Sequence, residues 1–121
     1  MIPRVEFILN KGIQILDLNL RGSKDMAQNI ATFQSAQKLA MNEPLKSVKL
    51  LTDVTDAHYD NEGVSVMKEF SKSVTPHMKA SAVVGVTGVK WIIVQSLIKL
   101  TGRDIKLFNN REQALEWLVG Q

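Results

Sequence analysis

The chain has no cysteine, no long apolar run, and an aromatic content of only 6% among its 121 residues. Without cysteine there can be no disulfide, thiolate metal site or cysteine nucleophile, and this fits a reducing compartment, so we expect a cytoplasmic protein. No apolar run approaches the ~20 residues of a membrane-spanning helix. The opening MIPRVEFILN lacks a cationic segment followed by a long apolar one, so no signal peptide is predicted.

Charge of one sign is not concentrated anywhere in the chain. The formal net charge is +3, but the fifteen lysines and arginines are scattered and no three are consecutive. Nucleic-acid surfaces usually cluster such residues, so no nucleic-acid partner is predicted. With 45% hydrophobic and 22% charged residues, the composition is that of an ordinary globular protein, and we assign residues 1–121 to a single domain.

Apolar periodicity predicts nine elements in the order β-β-α-β-α-β-α-β-α. The turn signal Asn10-Lys11-Gly12 joins two apolar runs into an antiparallel hairpin. Ser23 is expected to cap the first helix, which would begin at Lys24. Helices and strands then alternate, which favours an α/β fold with a mixed, mostly parallel five-stranded sheet flanked by helices. The strands after the hairpin are predicted at residues 47–52, 81–86 and 105–108.

The segment SAVVGVTGVKWI places a glycine turn between an apolar strand and a helix. It lacks the Gly-x-x-x-x-Gly-Lys-Ser/Thr spacing of a phosphate loop and the Gly-x-Gly-x-x-Gly of a dinucleotide site, so no cofactor is predicted. Two interpretations stay open. Gly85 permits close approach of a helix while Thr87 caps the next one, or the free amides near Gly88 bind an anion with Lys90 close by.

The helix after this turn is apolar on two sides. Helical spacing groups Val89, Ile92, Ile93, Leu97 and Leu100 on the side that is expected to face the sheet. The opposite side must be covered by a neighbouring helix or by a partner, or be left exposed as a patch, and we predict a partner or homodimer face there. That face would consist of Trp91, Val94 and Ile98.

The polar segment DVTDAHYDNE crowds carboxylates and a histidine into a few positions. These residue types bind metals or transfer protons, but their spacing matches neither a calcium loop nor a zinc site. Carboxylates ahead of a helix also serve as caps. We therefore predict no metal ion and no catalytic residue, while an enzyme that uses Asp53, His58 and Asp60 remains a third hypothesis.

Ligands of parallel α/β sheets bind at the carboxyl ends of the strands. The loops at residues 53–62 and 86–90 both leave such ends, on strands expected to be neighbours or near-neighbours. This edge is the predicted binding site. Its residues are Asp53, Thr55, Asp56, His58, Tyr59, Asp60, Thr87, Gly88 and Lys90.

The element order, together with LLTDVTDAHYDNEGVSVMKEF, SAVVGVTGVKWI, TGRDIKLF and NNREQALEWL, resembles the SpoIIAA-like family. These are small bacterial proteins related to STAS domains (sulfate transporter and anti-sigma factor antagonist), and the resemblance runs from about Arg4 to Leu118. It implies a non-enzymatic regulatory domain that binds a protein partner. In the antagonists a partner kinase phosphorylates the serine of Asp-Ser-x-Gly; here Asp60 and Gly63 match this motif, but Asn61 stands at the serine position.

The SpoIIAA-like family is also considered related to a group of lipid-binding domains. This relationship implies an alternative function, a carrier that holds a small apolar or amphipathic ligand beneath the helices. The same side chains can equally be plain core, because methionine often fills irregular gaps. The candidate lining residues are Met26, Phe33, Met67, Phe70 and Met78.

Overall fold

The computed structural model describes residues 3–121; Met1 and Ile2, which the predicted domain includes, lie outside the described residues. The elements follow the predicted order, with one additional 3-10 turn at Thr75–His77. In this part of the chain no helix has the length and apolarity needed to cross a bilayer. The elements are β1 (Arg4–Asn10), β2 (Ile13–Asn19), α1 (Met26–Met41), β3 (Val48–Asp53), α2 (Asn61–Val74), β4 (Met78–Val84), α3 (Val89–Thr101), β5 (Ile105–Phe108) and α4 (Arg111–Val119).

The five strands form one sheet in the order β1-β2-β3-β4-β5. β1 pairs with β2 antiparallel, and the remaining neighbours pair parallel. Lys11 and Gly12 both have positive φ, of 51° and 78°, as the tightest antiparallel hairpins require. The predicted mixed, mostly parallel sheet flanked by helices is confirmed.

Helices cover both faces of the sheet. Alternate residues of a strand point to opposite faces, so Leu50 packs toward α1 and α2, while Leu51 packs toward α4. β3 is buried along its whole length because it is central and covered on both sides. α3 packs beside α2. This arrangement leaves the carboxyl ends of β2, β3 and β4 together at one edge.

The predicted N-caps of two helices, Ser23 and Thr87, are wrong. α1 begins at Met26 rather than Lys24, and its N-cap is Asp25, whose carboxylate accepts a hydrogen bond of 3.2 Å from the Gln28 amide. Ser23 instead lies buried in the preceding turn, where its carbonyl accepts from the His58 amide at 2.9 Å. α3 is capped by Gly88, with no side-chain cap from Thr87.

The end of α3 and the start of α4 are capped by residues typical of these positions. Asn110 accepts a hydrogen bond of 2.9 Å from the Gln113 amide and opens α4. Gly102 ends α3 in the left-handed conformation, with φ of 68°.

Gly85 permits a close backbone approach, but the partner is a loop and not the predicted helix. A Cβ atom at this position would lie 2.6 Å from both the backbone nitrogen and the Cα of Thr55. The φ of 85° also lies in a backbone region that residues other than glycine rarely adopt. Gly85 therefore fixes how closely the loop after β3 lies on the loop after β4.

Replacing Gly85 with alanine should lower the free energy of unfolding by about 3 kcal/mol, because positive φ costs about 1–2 kcal/mol and the backbone clash adds ~1–3 kcal/mol. Gly102→Ala is the matched control, since φ is also positive there but nothing lies within 4 Å of the added Cβ. Urea titration followed by circular dichroism measures both changes. Equal losses in the two variants would contradict the close approach.

Candidate functional site

Main-chain hydrogen bonds hold the two predicted site loops together at the carboxyl edge of the sheet. The Val54 amide donates to the Val84 carbonyl at 2.9 Å, and the Gly22 amide donates to the Thr55 carbonyl at 2.8 Å. The Lys90 ammonium, from the first turn of α3, donates to the Val54 carbonyl at 2.8 Å. The structure therefore brings the 53–60 loop and Lys90 together, as the sequence suggested.

The surroundings of Lys90 bear on the anion-site interpretation. Burial lowers the pKa of Lys90, and the charge of Lys24 acts in the same direction, whereas Asp56 and Asp53 oppose the shift. Its ammonium is bound to a backbone carbonyl of the neighbouring loop. Thr87 and Gly88 are exposed at the start of α3. Lys90 thus has a structural role, and the anion site stays a prediction without support from its geometry.

The carboxylates of the acidic loop lie in different surroundings and do not form one cluster. Asp53 is fully buried and accepts a 3.0 Å bond from the Thr55 amide, while Asp60 caps α2 by accepting a 2.8 Å bond from Gly63. Asp56 is exposed, and its carbonyl rather than its carboxylate binds the Lys24 ammonium. Among residues 3–121 no group of three His, Asp or Glu side chains is placed to hold a metal ion. The side chains of Asp53 and Asp60 therefore act as a structural acceptor and a helix cap.

A buried ion cluster joins α4 to the sheet, and sequence reasoning missed it. Arg111 binds Asp17 with two parallel hydrogen bonds of 3.1 and 2.9 Å, and its guanidinium also lies 3.8 Å from Asp53. Asp17 is only 2% exposed. Burial lowers the pKa of Arg111, but the hydrogen bond and charge of Asp17, together with Asp53, raise it overall. The available signal was a carboxylate inside the apolar run ILDLNL.

A cavity of about 80 Å³ lies beneath the edge, between the sheet and helices α1, α2 and α3. His58, Tyr59 and Lys90 of the predicted site contribute to its wall, and His58 and Tyr59 are also exposed to solvent. Asp53 is not part of the wall. The predicted site is thereby divided between a surface loop and the wall of an interior cavity.

Most of the wall is apolar. The predicted lining residues Met26, Phe33, Met67 and Phe70 all contribute, and the two phenylalanine rings pack with their centroids 5.4 Å apart. Met78 lies outside the wall because it begins β4 and packs in the adjoining core. Sheet residues Leu50, Thr52, Ser81, Val83 and Ile105 also line the cavity.

Two polar side chains of the wall have buried atoms without a protein partner. Asn29, in the second turn of α1, is 1% exposed, and neither its amide nitrogen nor its oxygen is hydrogen-bonded to a described residue. The Nε of Arg103, in the loop between α3 and β5, is also buried without a hydrogen-bond partner among the described residues. One terminal nitrogen of Arg103 donates to the Ser81 hydroxyl at 3.3 Å. Neither residue was singled out in the sequence.

α3 is rotated relative to the sequence expectation. Val94, predicted on the partner face, is buried in the cavity wall together with Leu97, and Ile98 is half-buried. Ile92, predicted to face the sheet, is 62% exposed, and Val89 and Leu100 are exposed beside it. Trp91 is exposed as predicted. Because apolar residues surround much of this helix, its periodicity alone could not select the buried side.

Arg111→Met should lower the free energy of unfolding by about 3 kcal/mol at pH 7, because it leaves Asp17 and Asp53 buried without their common cation. Adding Asp17→Leu should recover part of the loss by removing one buried charge. Arg4→Met is the matched control, since Arg4 and Glu6 are exposed and 3.9 Å apart. Thermal and urea unfolding measure all three variants. If Arg111→Met and Arg4→Met cost the same, the cluster does not hold α4 in place.

Comparison with known proteins agrees with this architecture. None of the curated proteins compared with the chain matches it. A family model described as SpoIIAA-like matches residues 15–119, from β2 to the end of α4. The match covers most of the chain and includes the four strands β2–β5 and all four helices. The chain therefore belongs to the SpoIIAA-like family.

Proposed function

We propose that residues 1–121 form one non-enzymatic regulatory domain that binds a partner protein. Family membership supports the general role, since SpoIIAA-like domains are protein-interaction domains. The observation that carries the proposal is the outer apolar face of α3, where Val89, Ile92 and Leu100 are 54%, 62% and 49% exposed. Trp91 flanks this face. Contiguous apolar side chains that are left in solvent commonly mark interaction surfaces.

Charge around this face favours a particular kind of partner. α3 contains two lysines and no acidic residue, and Lys99 is exposed in its last turn. A second copy would add positive charge, whereas an apolar surface bordered by carboxylates would neutralise it. We therefore propose a different protein with an acidic rim as the partner, and a homodimer is the competing outcome.

The start of α2 supports binding without the usual phosphorylation switch. Asn61 is the first residue of α2, directly after the capping Asp60, and it is exposed. The family resemblance places the phosphorylated serine of the antagonists at this position. An asparagine side chain has no hydroxyl group to accept a phosphoryl group. We infer that phosphorylation at this position does not release the partner.

Ile92→Glu should weaken partner binding at least tenfold, because a charge would enter the centre of the apolar contact. A photo-cross-linking amino acid at position 92 captures the partner, which is then purified for calorimetry. Leu9→Glu is the matched control, since Leu9 is 75% exposed on the distant hairpin. Sedimentation of the purified chain shows whether the captured partner is a second copy. Equal affinities for both variants would contradict the assignment of this face.

The cavity supports a second candidate function, a carrier for a small amphipathic ligand. Its wall is largely apolar but includes the buried Asn29 amide and the Arg103 guanidinium. Plain cores avoid such groups, because burying a polar group without a partner costs about 1–3 kcal/mol. His58 and Tyr59 connect the wall to solvent. These features favour a binding cavity over a packing gap.

Adding 1-hexanol to protein labelled with ¹³C at the methionine methyl groups should shift the signals of Met26 and Met67, which line the cavity. Met41 is the internal control, because it is exposed and lies outside the cavity wall. Two-dimensional NMR spectra at increasing alcohol concentration measure the shifts. Unchanged cavity methyls, or equal shifts of all the methyls, would contradict a ligand site here.

The third hypothesis, an enzyme that uses the acidic loop, gains no support from the geometry. Asp53 contacts Arg111 of α4, and Asp60 is engaged in capping α2. His58 lines the cavity at its exposed end. Because these three side chains lie in three different environments, we do not propose a reaction for them.

A further inference from the structure

Arg103 is a half-buried cation whose Nε is fully buried, and it has no counter-ion among the described residues. Its guanidinium lines the cavity, and no described carboxylate forms an ion pair with it. Its protein contacts are one 3.3 Å hydrogen bond to the neutral Ser81 hydroxyl and the 3.2 Å bond from its backbone amide to Thr101. Burial lowers the pKa of Arg103 to about 10, which still leaves it charged at neutral pH.

Such a group carries a large cost unless something neutralises it. A buried charge without a partner is destabilising, so a group that pairs with the buried side of Arg103 would stabilise the protein. Lys90 is the other cation of the wall, but it donates to the Val54 carbonyl and is influenced by the charges of Asp56 and Asp53. Arg103 is therefore the cation of the described cavity wall that remains to be neutralised.

Asn29 gives an independent indication that the cavity receives polar atoms. It is almost completely buried, and its amide has both a donor and an acceptor without a protein partner. Asn29 lies in α1, whereas Arg103 precedes β5, so the two groups come from different elements of the wall. A pure hydrocarbon ligand would leave both groups unpaired. A ligand that pairs with both groups would carry polar atoms and a negative charge.

We propose that the cavity binds a short apolar monocarboxylate whose carboxylate pairs with Arg103. A guanidinium offers a planar fork that matches a carboxylate, and one cation suits one negative charge better than a phosphate dianion. The apolar body would lie among Met67, Phe70 and Leu97. The ligand must be short because the cavity volume is about 80 Å³. Sites that enclose drug-sized ligands have volumes of ~300–1,000 Å³. The proposal rests on the carrier function above.

The test compares sodium hexanoate with 1-hexanol, which has the same chain length and no charge. Titrations of the full chain, followed by methionine methyl NMR and by melting temperature, give both dissociation constants. Arg103→Met should weaken hexanoate at least tenfold, the size of a lost charge-assisted hydrogen bond, and leave hexanol unchanged. Lys99→Met is the matched control, because it removes an exposed positive charge from α3. Without ligand, Arg103→Met should be at least as stable as the unmodified chain.

Each outcome separates this proposal from the carrier function. If hexanoate binds and only Arg103→Met weakens it, the proposal is supported. If hexanol binds but hexanoate does not, or Arg103→Met leaves hexanoate unchanged, carboxylate recognition is wrong while the carrier function stands. If neither compound binds, and hexadecanoate does not bind either, both are wrong. If hexadecanoate binds and hexanoate does not, the carboxylate comes from a long-chain lipid and the proposed short ligand is wrong.

Discussion

The burial of β3 on both faces is the constraint on which the rest of the structure depends. This strand can be central only if helices cover both sides, so the chain must place α1, α2 and α3 on one face and α4 on the other. The same burial determines where polar groups are possible. Asp53, at the end of β3, faces α4 and meets Arg111, while Thr52, one residue earlier, faces the cavity. One strand thus separates the ion cluster from the cavity.

The two faces solve the problem of buried charge in different ways. On the α4 side, Arg111 forms two hydrogen bonds with Asp17 and lies 3.8 Å from Asp53, and this ion cluster joins α4 to the sheet. On the other side, Arg103 meets a neutral hydroxyl and an apolar cavity. The first arrangement contributes to holding the fold together. In the proposed carrier function, the second supplies the cation that selects the ligand, and functional sites often lose stability for such a role.

The architecture was predictable because it depends on local signals. Apolar alternation, the hairpin turn, and the caps at Asp60, Gly102 and Asn110 identify the elements and their order. The Asp17–Arg111 contact was not predictable in this way, because 94 positions separate its partners. The cavity was expected only in outline, since its wall depends on how α3 approaches the sheet. Periodicity could not fix that approach, because Val94 and Ile92 are both apolar and only packing decides which one is buried.

The inner and outer sides of α3 belong to two different surfaces of the protein. Its inner side chains, Val94 and Leu97, belong to the cavity wall, and Ile92 on its outer side belongs to the proposed partner surface. Any occupant that shifts this helix therefore changes both sites at once. Thermodynamic reciprocity then requires that the ligand alter partner affinity by the same factor by which the partner alters ligand affinity. The proposed carrier and interaction functions would then be coupled through a single helix.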